Sequence, residues 1–297
     1  MTEAIITTED LTVYYGKQRG IDGVDLQVQK GEVFGFLGPN GAGKTTTQRV
    51  LLDLIRPIRG RAEIFGLDCQ TEGAAIRERV GYLPGELSLY ENMTAHEYFD
   101  LIGGVRGRVN DRAYRRQLCE QLDLDPTRRM CAYSRRNKQK VGVVAAFLSE
   151  PDLLILDEPT TSLDPLVQRR VLELVRAVRD EGRTVFFSSH VLSEVQAVCD
   201  RVGIIREGRL VTTERIDALT ERNFRRVRMW FDQTPQPDAF KLEGVKLIEA
   251  HENALTFEVY DRMDRFLRAA VEQGLQDIET LPVTLEEVFL AFYGGEE

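Results

Sequence analysis

Residues 32–45 read Glu32-Val33-Phe34-Gly35-Phe36-Leu37-Gly38-Pro39-Asn40-Gly41-Ala42-Gly43-Lys44-Thr45, an apolar strand-like run ending in the pattern G-x-x-x-x-G-K-[ST]. A loop of this composition wraps a triphosphate, because Gly38, Gly41 and Gly43 let backbone N–H groups approach phosphate oxygens with no Cβ in the way. The residues after it predict a helix from Lys44 to about Ile55, whose positive end faces the same anion. Lys44 then reaches the β- and γ-phosphates, and the Thr45 hydroxyl completes a Mg²⁺ shell. Strand, loop and helix in this order argue against a chance glycine-rich turn.

Downstream, Leu153-Leu154-Ile155-Leu156-Asp157-Glu158 reads as a buried parallel strand ending in two carboxylates. Asp157 is placed to hold Mg²⁺, while Glu158 can polarise an attacking water. Thr161-Ser162-Leu163-Asp164 follows, then a helix from Leu166 to Arg179 with a core-facing stripe of Val171, Leu172, Leu174, Val175 and Val178. The strand Thr184 to Ser188 comes next, and His190 stands just beyond its end, where a ligand crevice forms in parallel sheets. A γ-phosphate contact is the reading favoured for His190 over surface or core filling. His96 and His251 lack such a setting.

Upstream of the loop, Ile5 to Tyr15 and Val24 to Val28 alternate as short β segments around a turn-rich Gly16 to Gly23, resembling an antiparallel flap. Tyr15 has the right chemistry to stack on a purine, although a half-buried strand tyrosine is an equal reading. Arg61 to Phe65 and Val80 to Leu83 add short strands, and a polar, helix-rich region runs from about Gly85 to Glu150. Within it, residues 106–140 hold eleven Arg/Lys and four Asp/Glu, 11 − 4 = +7, in a chain of formal charge −9. A solvated helical surface explains this asymmetry, and so does contact with an acidic partner or lipid headgroups. Val202 to Val211 reads as a hairpin turning at Glu207-Gly208. Beyond about Arg222, Val227 to Phe231 and Leu255 to Val259 alternate as strands, and Met263, Phe266, Leu267, Ala270 and Val271 form a helical stripe. Thr284 and Glu287 make a capping-box pattern before a final helix through Phe292, completing a small α+β appendage to which Trp230 contributes either core or contact surface.

A length of 297 residues with 42% hydrophobic residues suits two domains. The acidic balance disfavours nucleic acid as a partner bound through the overall field. Cys69, Cys119, Cys131 and Cys199 form no C-x-x-C pair, so neither a zinc site nor a disulfide framework is signalled. The acidic start MTEAIITTED has no signal-peptide character, and the longest apolar run, Val141 to Leu148, falls well short of the ~18 residues a membrane span needs. Any membrane role is therefore expected through a separate polypeptide.

The ordered motifs resemble those of the nucleotide-binding subunit of an ATP-binding cassette (ABC) transporter, over about residues 4–215. The resemblance implies an α/β P-loop NTPase of ABC type: a mostly parallel sheet, an antiparallel β flap and a helical subdomain at about 85–150, in a domain spanning 1–220. A C-terminal accessory α+β domain at 221–297, ending in PVTLEEVFLAFYG, is similar to that of bacterial exporters of drugs and antibiotics. By that likeness Tyr15 is the adenine-stacking aromatic, and Gly38, Pro39, Asn40, Gly41, Ala42, Gly43, Lys44, Thr45 and Thr46 form the Walker A nucleotide site. Asp157 and Glu158 end the Walker B strand, with Thr45 and Asp157 as metal ligands and Lys44, Glu158 and His190 as the catalytic set. Asp164 closes the D-loop. ATP and Mg²⁺ are the implied cofactors, a separate transmembrane permease the implied partner, and the cytoplasmic face of the membrane the implied location. Two such domains, as homodimer or heterodimer, meet head to tail with each ATP between them.

Two motifs depart from the family pattern. The signature LSGGQ is represented by Tyr133-Ser134-Arg135-Arg136-Asn137, with Ser134 and Arg136 at phosphate-facing positions and arginines in place of two glycines. A side chain at Arg136 obstructs the usual backbone approach to the opposite γ-phosphate, or its charge binds phosphate directly. Gly85 fills the glutamine slot of the Q-loop, leaving a Mg²⁺ and water ligand missing unless Glu86 replaces it. The leading expectation is an exporter ATPase with slow or asymmetric hydrolysis. The alternatives are a nucleotide-dependent dimerising regulator or degenerate ATPase, and a soluble ABC protein acting on DNA or the ribosome, which a single acidic cassette disfavours.

Overall fold

The computed structural model describes residues 3–105, 112–218, 225–260 and 262–281. The chain separates into two compact units, Met1–Glu214 and Arg215–Glu297. In chain order the first unit contains β1 (Ala4–Tyr15), β2 (Gln18–Gln29), β3 (Val33–Leu37), α1 (Lys44–Leu51), β4 (Arg59–Ile64), β5 (Leu67–Asp68), α2 (Gly73–Arg79) and β6 (Val80–Leu83). It continues with α3 (Ala95–Val105), α4 (Arg112–Gln121), α5 (Arg135–Phe147), β7 (Leu153–Asp157), α6 (Pro165–Asp180), β8 (Thr184–Ser189), α7 (Leu192–Val198), β9 (Arg201–Arg206) and β10 (Arg209–Arg215).

Two sheets organise this unit. One has strand order β10-β9-β3-β8-β7-β6, and the other, an antiparallel flap, has order β2-β1-β4-β5. Strands β3 and β7 are continuous apolar runs because both faces of the sheet are covered, and every residue of each is buried. In the central strands, Phe34 stacks on Phe186 at 5.9 Å and Phe36 meets the same ring at 5.3 Å. Each such ring withdrawn from water contributes about 1.5–3 kcal/mol. Parallel pairing of β3 with β8 and β9, and of β7 with β6 and β8, brings the carboxyl ends of these strands to one edge. The phosphate-loop motif, the two carboxylates and His190 all emerge there.

Several expectations shift in detail. Residues 16–23 are mostly strand, because β2 begins at Gln18 and leaves Gly16-Lys17 as the turn. Helix α1 stops at Leu51, well before Ile55: Asp53 takes a left-handed φ of +54°, and Arg77 Nη1 donates to the Leu52 carbonyl at 2.9 Å, ending the helix there. The β9–β10 connection turns at Glu207-Gly208 as read, with φ of +48° and +81°. The helical region holds α3, α4 and α5.

The second unit contains β11 (Arg225–Phe231), β12 (Val245–His251), β13 (Ala254–Val259), α8 (Met263–Glu272) and β14 (Leu275–Leu281), in a sheet of order β12-β13-β11-β14. Its core gathers Val227, Met229, Phe231, Phe240, Leu255, Phe257 and Phe266. Val271, read as part of the helical stripe, is instead 67% exposed. Trp230 is half-buried. The capping box at Thr284 and Glu287 with its helix through Phe292, and the boundary at 220, lie outside the described residues.

One side chain in the first unit works against burial. Gln48 of α1 is fully buried, and neither its amide nitrogen nor its oxygen has a hydrogen-bond partner among the described residues. An orphaned buried amide costs about 1–3 kcal/mol, whereas an apolar side chain of similar volume costs nothing there. Gln48→Met is therefore expected to raise the thermal unfolding midpoint, measured by circular dichroism on the full chain, and a lowered midpoint would refute the assignment.

Candidate active site

The phosphate-loop motif is held by packing before any ligand is considered. A Cβ at Gly38 would lie 2.3 Å from the Ile205 carbonyl oxygen, and one at Gly43, whose φ is +111°, would lie 2.8 Å from that of Gly20. These two glycines therefore let the loop nest between β9 and β2. Around a Cβ at Gly41 nothing among the described residues would stand within 4 Å apart from its chain neighbours, so that side of the loop is open.

Beside the loop is a cavity of about 250 Å³ lined by Tyr15, Gln18, Arg19, Gly20, Asn40, Gly41, Gly43, Lys44, Thr45, Thr46 and Glu158. The Tyr15 ring folds against Gly20, where a Cβ would come within 2.9 Å of it, and its hydroxyl lies 3.4 Å from Thr46 Oγ1. Lys44, only 5% exposed, donates from Nζ to the carbonyls of Gly38 at 2.6 Å and Pro39 at 3.2 Å, and pairs with Glu158 Oε1 at 3.2 Å. Glu158 is held in turn by His190, whose Nδ1 lies 2.6 Å from Oε2.

The chain turns sharply at the end of β7. Glu158 has a left-handed φ of +53°, a conformation costing of order 1 kcal/mol for a side chain of this type. Its N–H donates to the Ser188 carbonyl at 3.3 Å, so Asp157 and Glu158 point to different places. Asp157, 1% exposed, accepts from Thr45 Oγ1 and from Ser188 Oγ, each at 2.7 Å. Burial pushes the neighbouring Tyr82 hydroxyl up to about 12, with the Asp157 charge adding to it.

Thr45 and Asp157 present hard oxygen donors within hydrogen-bond distance of each other, the donor chemistry that Mg²⁺ takes. Among the described residues no group of three or more His, Cys, Asp or Glu is arranged to hold a metal. Mg²⁺ at this place would thus draw its other ligands from phosphates and water.

Ser134, Arg136 and Asp164 are not among the residues lining the cavity. Ser134 caps α5 by accepting from the Asn137 N–H at 3.3 Å. Arg136 Nη1 lies 3.4 Å from Asp164 Oδ2, and Asp164 also caps α6 through the Val167 N–H at 3.1 Å. That N–H holds the Asp164 carboxyl below the usual carboxylate range, with Arg136 acting in the same direction. Gln139 of α5 ties this region to the turn after β7 by donating to the carbonyls of Glu158 at 3.4 Å and Pro159 at 3.3 Å. Gly85 abuts the buried carboxylate, where a Cβ would stand 2.9 Å from Asp157 Oδ2.

Ser188, Gln18, Arg19 and Gln139 are functional neighbours of the site that no motif marks. Ser188 lies at the carboxyl end of β8, two residues before His190, and the sheet-edge argument applied to His190 reaches it too. Gln18 and Arg19 were hidden by the assignment of residues 16–23 to a turn, though Gly16-Lys17 alone suffices for a two-residue hairpin. Gln139 carried no local signal.

Comparison with known proteins shows the family. A family model described as ABC transporter matches residues 21–161. The bacitracin transport ATP-binding protein BcrA of Bacillus licheniformis is 35% identical, with 98% of each chain covered. The daunorubicin resistance ATP-binding protein DrrA3 of Streptomyces coeruleorubidus is 34% identical across all of this chain and 98% of its own. A solved ATP-binding subunit of an ABC transporter superposes with a TM-score of 0.66 at 30% identity, covering 72% of this chain and 91% of that one.

The Lys44–Glu158 pair sets up a competition. A phosphate-bearing ligand must draw Lys44 away from Glu158, so Glu158→Gln is expected to tighten ADP binding by about fivefold, the equivalent of ~1 kcal/mol for a partly buried pair. Isothermal titration with ADP checks this without hydrolysis, and unchanged or weaker binding would count against the competition.

Proposed function

The chain belongs to the ATP-binding subunits of ABC transporters, and from this we propose that it powers a bacterial exporter of drugs or other small hydrophobic compounds by hydrolysing ATP. The observation that carries the reading is the convergence of Tyr15, Lys44, Thr45 and Glu158 on one cavity.

In this reading the adenine lies on the Tyr15 ring and the phosphates lie along the backbone N–H groups of residues 40, 41 and 43–46, at the positive end of α1. Lys44 leaves the Gly38 and Pro39 carbonyls for the β- and γ-phosphates. Thr45 and Asp157 hold Mg²⁺, which when bound neutralises charge on the transferred phosphoryl group. Glu158, released from Lys44, accepts a proton from the attacking water, and His190 keeps the carboxylate oriented from its far oxygen while facing the γ-phosphate. Ser188 steadies Asp157 from behind. Two copies, or this chain and a related one, close over ATP head to tail and reopen on hydrolysis, driving a separate transmembrane permease from the cytoplasmic side of the membrane. The domain reading that goes with this assigns residues 1–220 to the ATPase and 221–297 to an accessory role.

A second reading, slow or asymmetric turnover, is favoured by the two departures from the family pattern. Arg136 fills the position of a glycine and reaches across to Asp164. Gly85 sits where a Cβ would stand 2.9 Å from Asp157 Oδ2, so a glutamine there requires Asp157 or the Gly85 segment to shift. Steady-state hydrolysis across a range of protein concentrations, with Glu158→Gln as blank, tests both readings. Activity that rises with concentration and vanishes in the blank is expected, and Arg136→Gly is expected to raise kcat by roughly tenfold or more through the regained backbone approach. A homodimer already turning over at ordinary transporter rates would overturn the second reading, and activity no higher than the blank would overturn the first for the isolated chain.

A further inference from the structure

The cavity carries a cation that the motifs do not account for. Arg19 lines it together with Tyr15 and Lys44. Its backbone is fixed next to the phosphate loop, because the neighbouring Gly20 packs its carbonyl against Gly43 and its Cα against the Tyr15 ring. The frame is completed by the Asp22 N–H donating to Gly208 O at 2.8 Å and the Gly208 N–H donating to Ala42 O at 2.9 Å. Strand β2, the loop and the β9–β10 turn are therefore tied to one another, and the Arg19 backbone with them.

The guanidinium itself is loosely held. Its two carboxylate neighbours stand at 4.0 Å (Asp22) and 3.6 Å (Glu207), beyond hydrogen-bond length. Asp22 is already engaged by Arg209, which donates to it twice at 3.1 and 2.8 Å and holds its carboxyl below the usual range. Glu207 sits on the exposed turn with 71% of its side chain in solvent. Three charged residues line the cavity among the described residues, and of these Lys44 and Glu158 pair with each other. Arg19 is the remaining charge, and it is positive. A nucleotide spanning from Tyr15 to Lys44 brings a phosphate at each step, and Lys44 serves the terminal ones. The phosphate next to the ribose has no cation assigned to it.

We propose that Arg19 is a nucleotide-binding residue that takes the α-phosphate of the bound nucleotide by charge-assisted hydrogen bonds from its guanidinium. The proposal rests on the nucleotide reading of the cavity. It places the arginine at the base end of the site, where its planar fork matches two oxygens of one phosphate.

The test is equilibrium binding of AMP, ADP, ATP and adenosine to the full chain, each by competition against a fluorescent ADP analogue. Arg19→Met, which keeps the length of the side chain and removes its charge, is expected to weaken all three phosphorylated nucleotides by a common factor of about ten and to leave adenosine unchanged. Arg19→Lys is expected to recover part of the loss. Glu207→Gln, which removes the loose competitor without touching the cavity, is expected to tighten ADP by about twofold. Unfolding midpoints equal to wild type in all three variants separate these effects from a structural role. Wild-type binding left intact by Arg19→Met would overturn the Arg19 assignment alone. Equal weakening of adenosine would also overturn it, in favour of stacking on the base. A wild-type chain that binds none of the phosphorylated nucleotides would sink the reading of the cavity, and Arg19 with it.

Discussion

The Asp157 carboxylate is where the elements of the first unit meet. It is almost wholly withdrawn from water, and a buried carboxylate is tolerated only where donors surround it. Thr45 at the start of α1 and Ser188 at the end of β8 each supply a hydroxyl at 2.7 Å. The backbone at Gly85, just beyond β6, closes against it from another side. One anion thereby sets the positions of the helix after the phosphate loop, of two neighbouring strands and of the segment after a third. The loop has its shape because Gly38 at its start nests against β9, while at its end Gly43 nests against β2 and Thr45 pins the start of α1.

The same economy governs the charges around the cavity. Lys44 is ion-paired to Glu158 Oε1, which takes no hydrogen bond among the described residues, and Glu158 Oε2 meets His190, so the charges on this side of the cavity are linked in sequence. The left-handed turn at Glu158 is what makes this possible, since it sends two consecutive carboxylates to different partners. An arrangement of mutually satisfied groups is poised to exchange partners when a polyanion enters, because the ligand replaces one ion pair with another and leaves none exposed. Arg136 and Asp164 repeat the pattern at the start of α5 and α6, where each is the other's partner at 3.4 Å.

The second unit uses a simpler principle. Alternation along β11 sends Val227, Met229 and Phe231 to one side, where Phe240, Phe257 and Phe266 form an aromatic cluster with centroids 4.7 to 5.9 Å apart. On the other side Arg226 pairs with Glu258 at 2.6 Å across the β11–β13 ladder. Strands β12 and β14 flank this centre with largely exposed residues.

How much of this was legible beforehand follows from the range of the forces involved. The phosphate-loop motif, the strand ending in Asp157 and Glu158, the helix over α6 and the hairpin at Glu207-Gly208 were all readable, because each depends on neighbours in sequence: glycine freedom, apolar runs and periodicity. Strands β12 and β14 were missed since edge strands with exposed side chains carry no burial pattern, and β2 was shortened because glycines at 16, 20 and 23 look like a turn when only one of them makes it. Helix α1 ends earlier than its sequence suggests because the left-handed turn at Asp53 is joined by a hydrogen bond from Arg77, a residue 25 positions away from the carbonyl it holds. By itself the sequence determined which residues have the chemistry to bind and split a nucleotide, since that chemistry is written in side-chain type and local spacing. The tertiary structure alone decided that Lys44 rests on Glu158, that Arg136 rests on Asp164, that Gly85 lies against Asp157 and that Arg19 faces the cavity. Each of these is a contact between distant segments, made by the folding of the sheet and encoded in no local pattern.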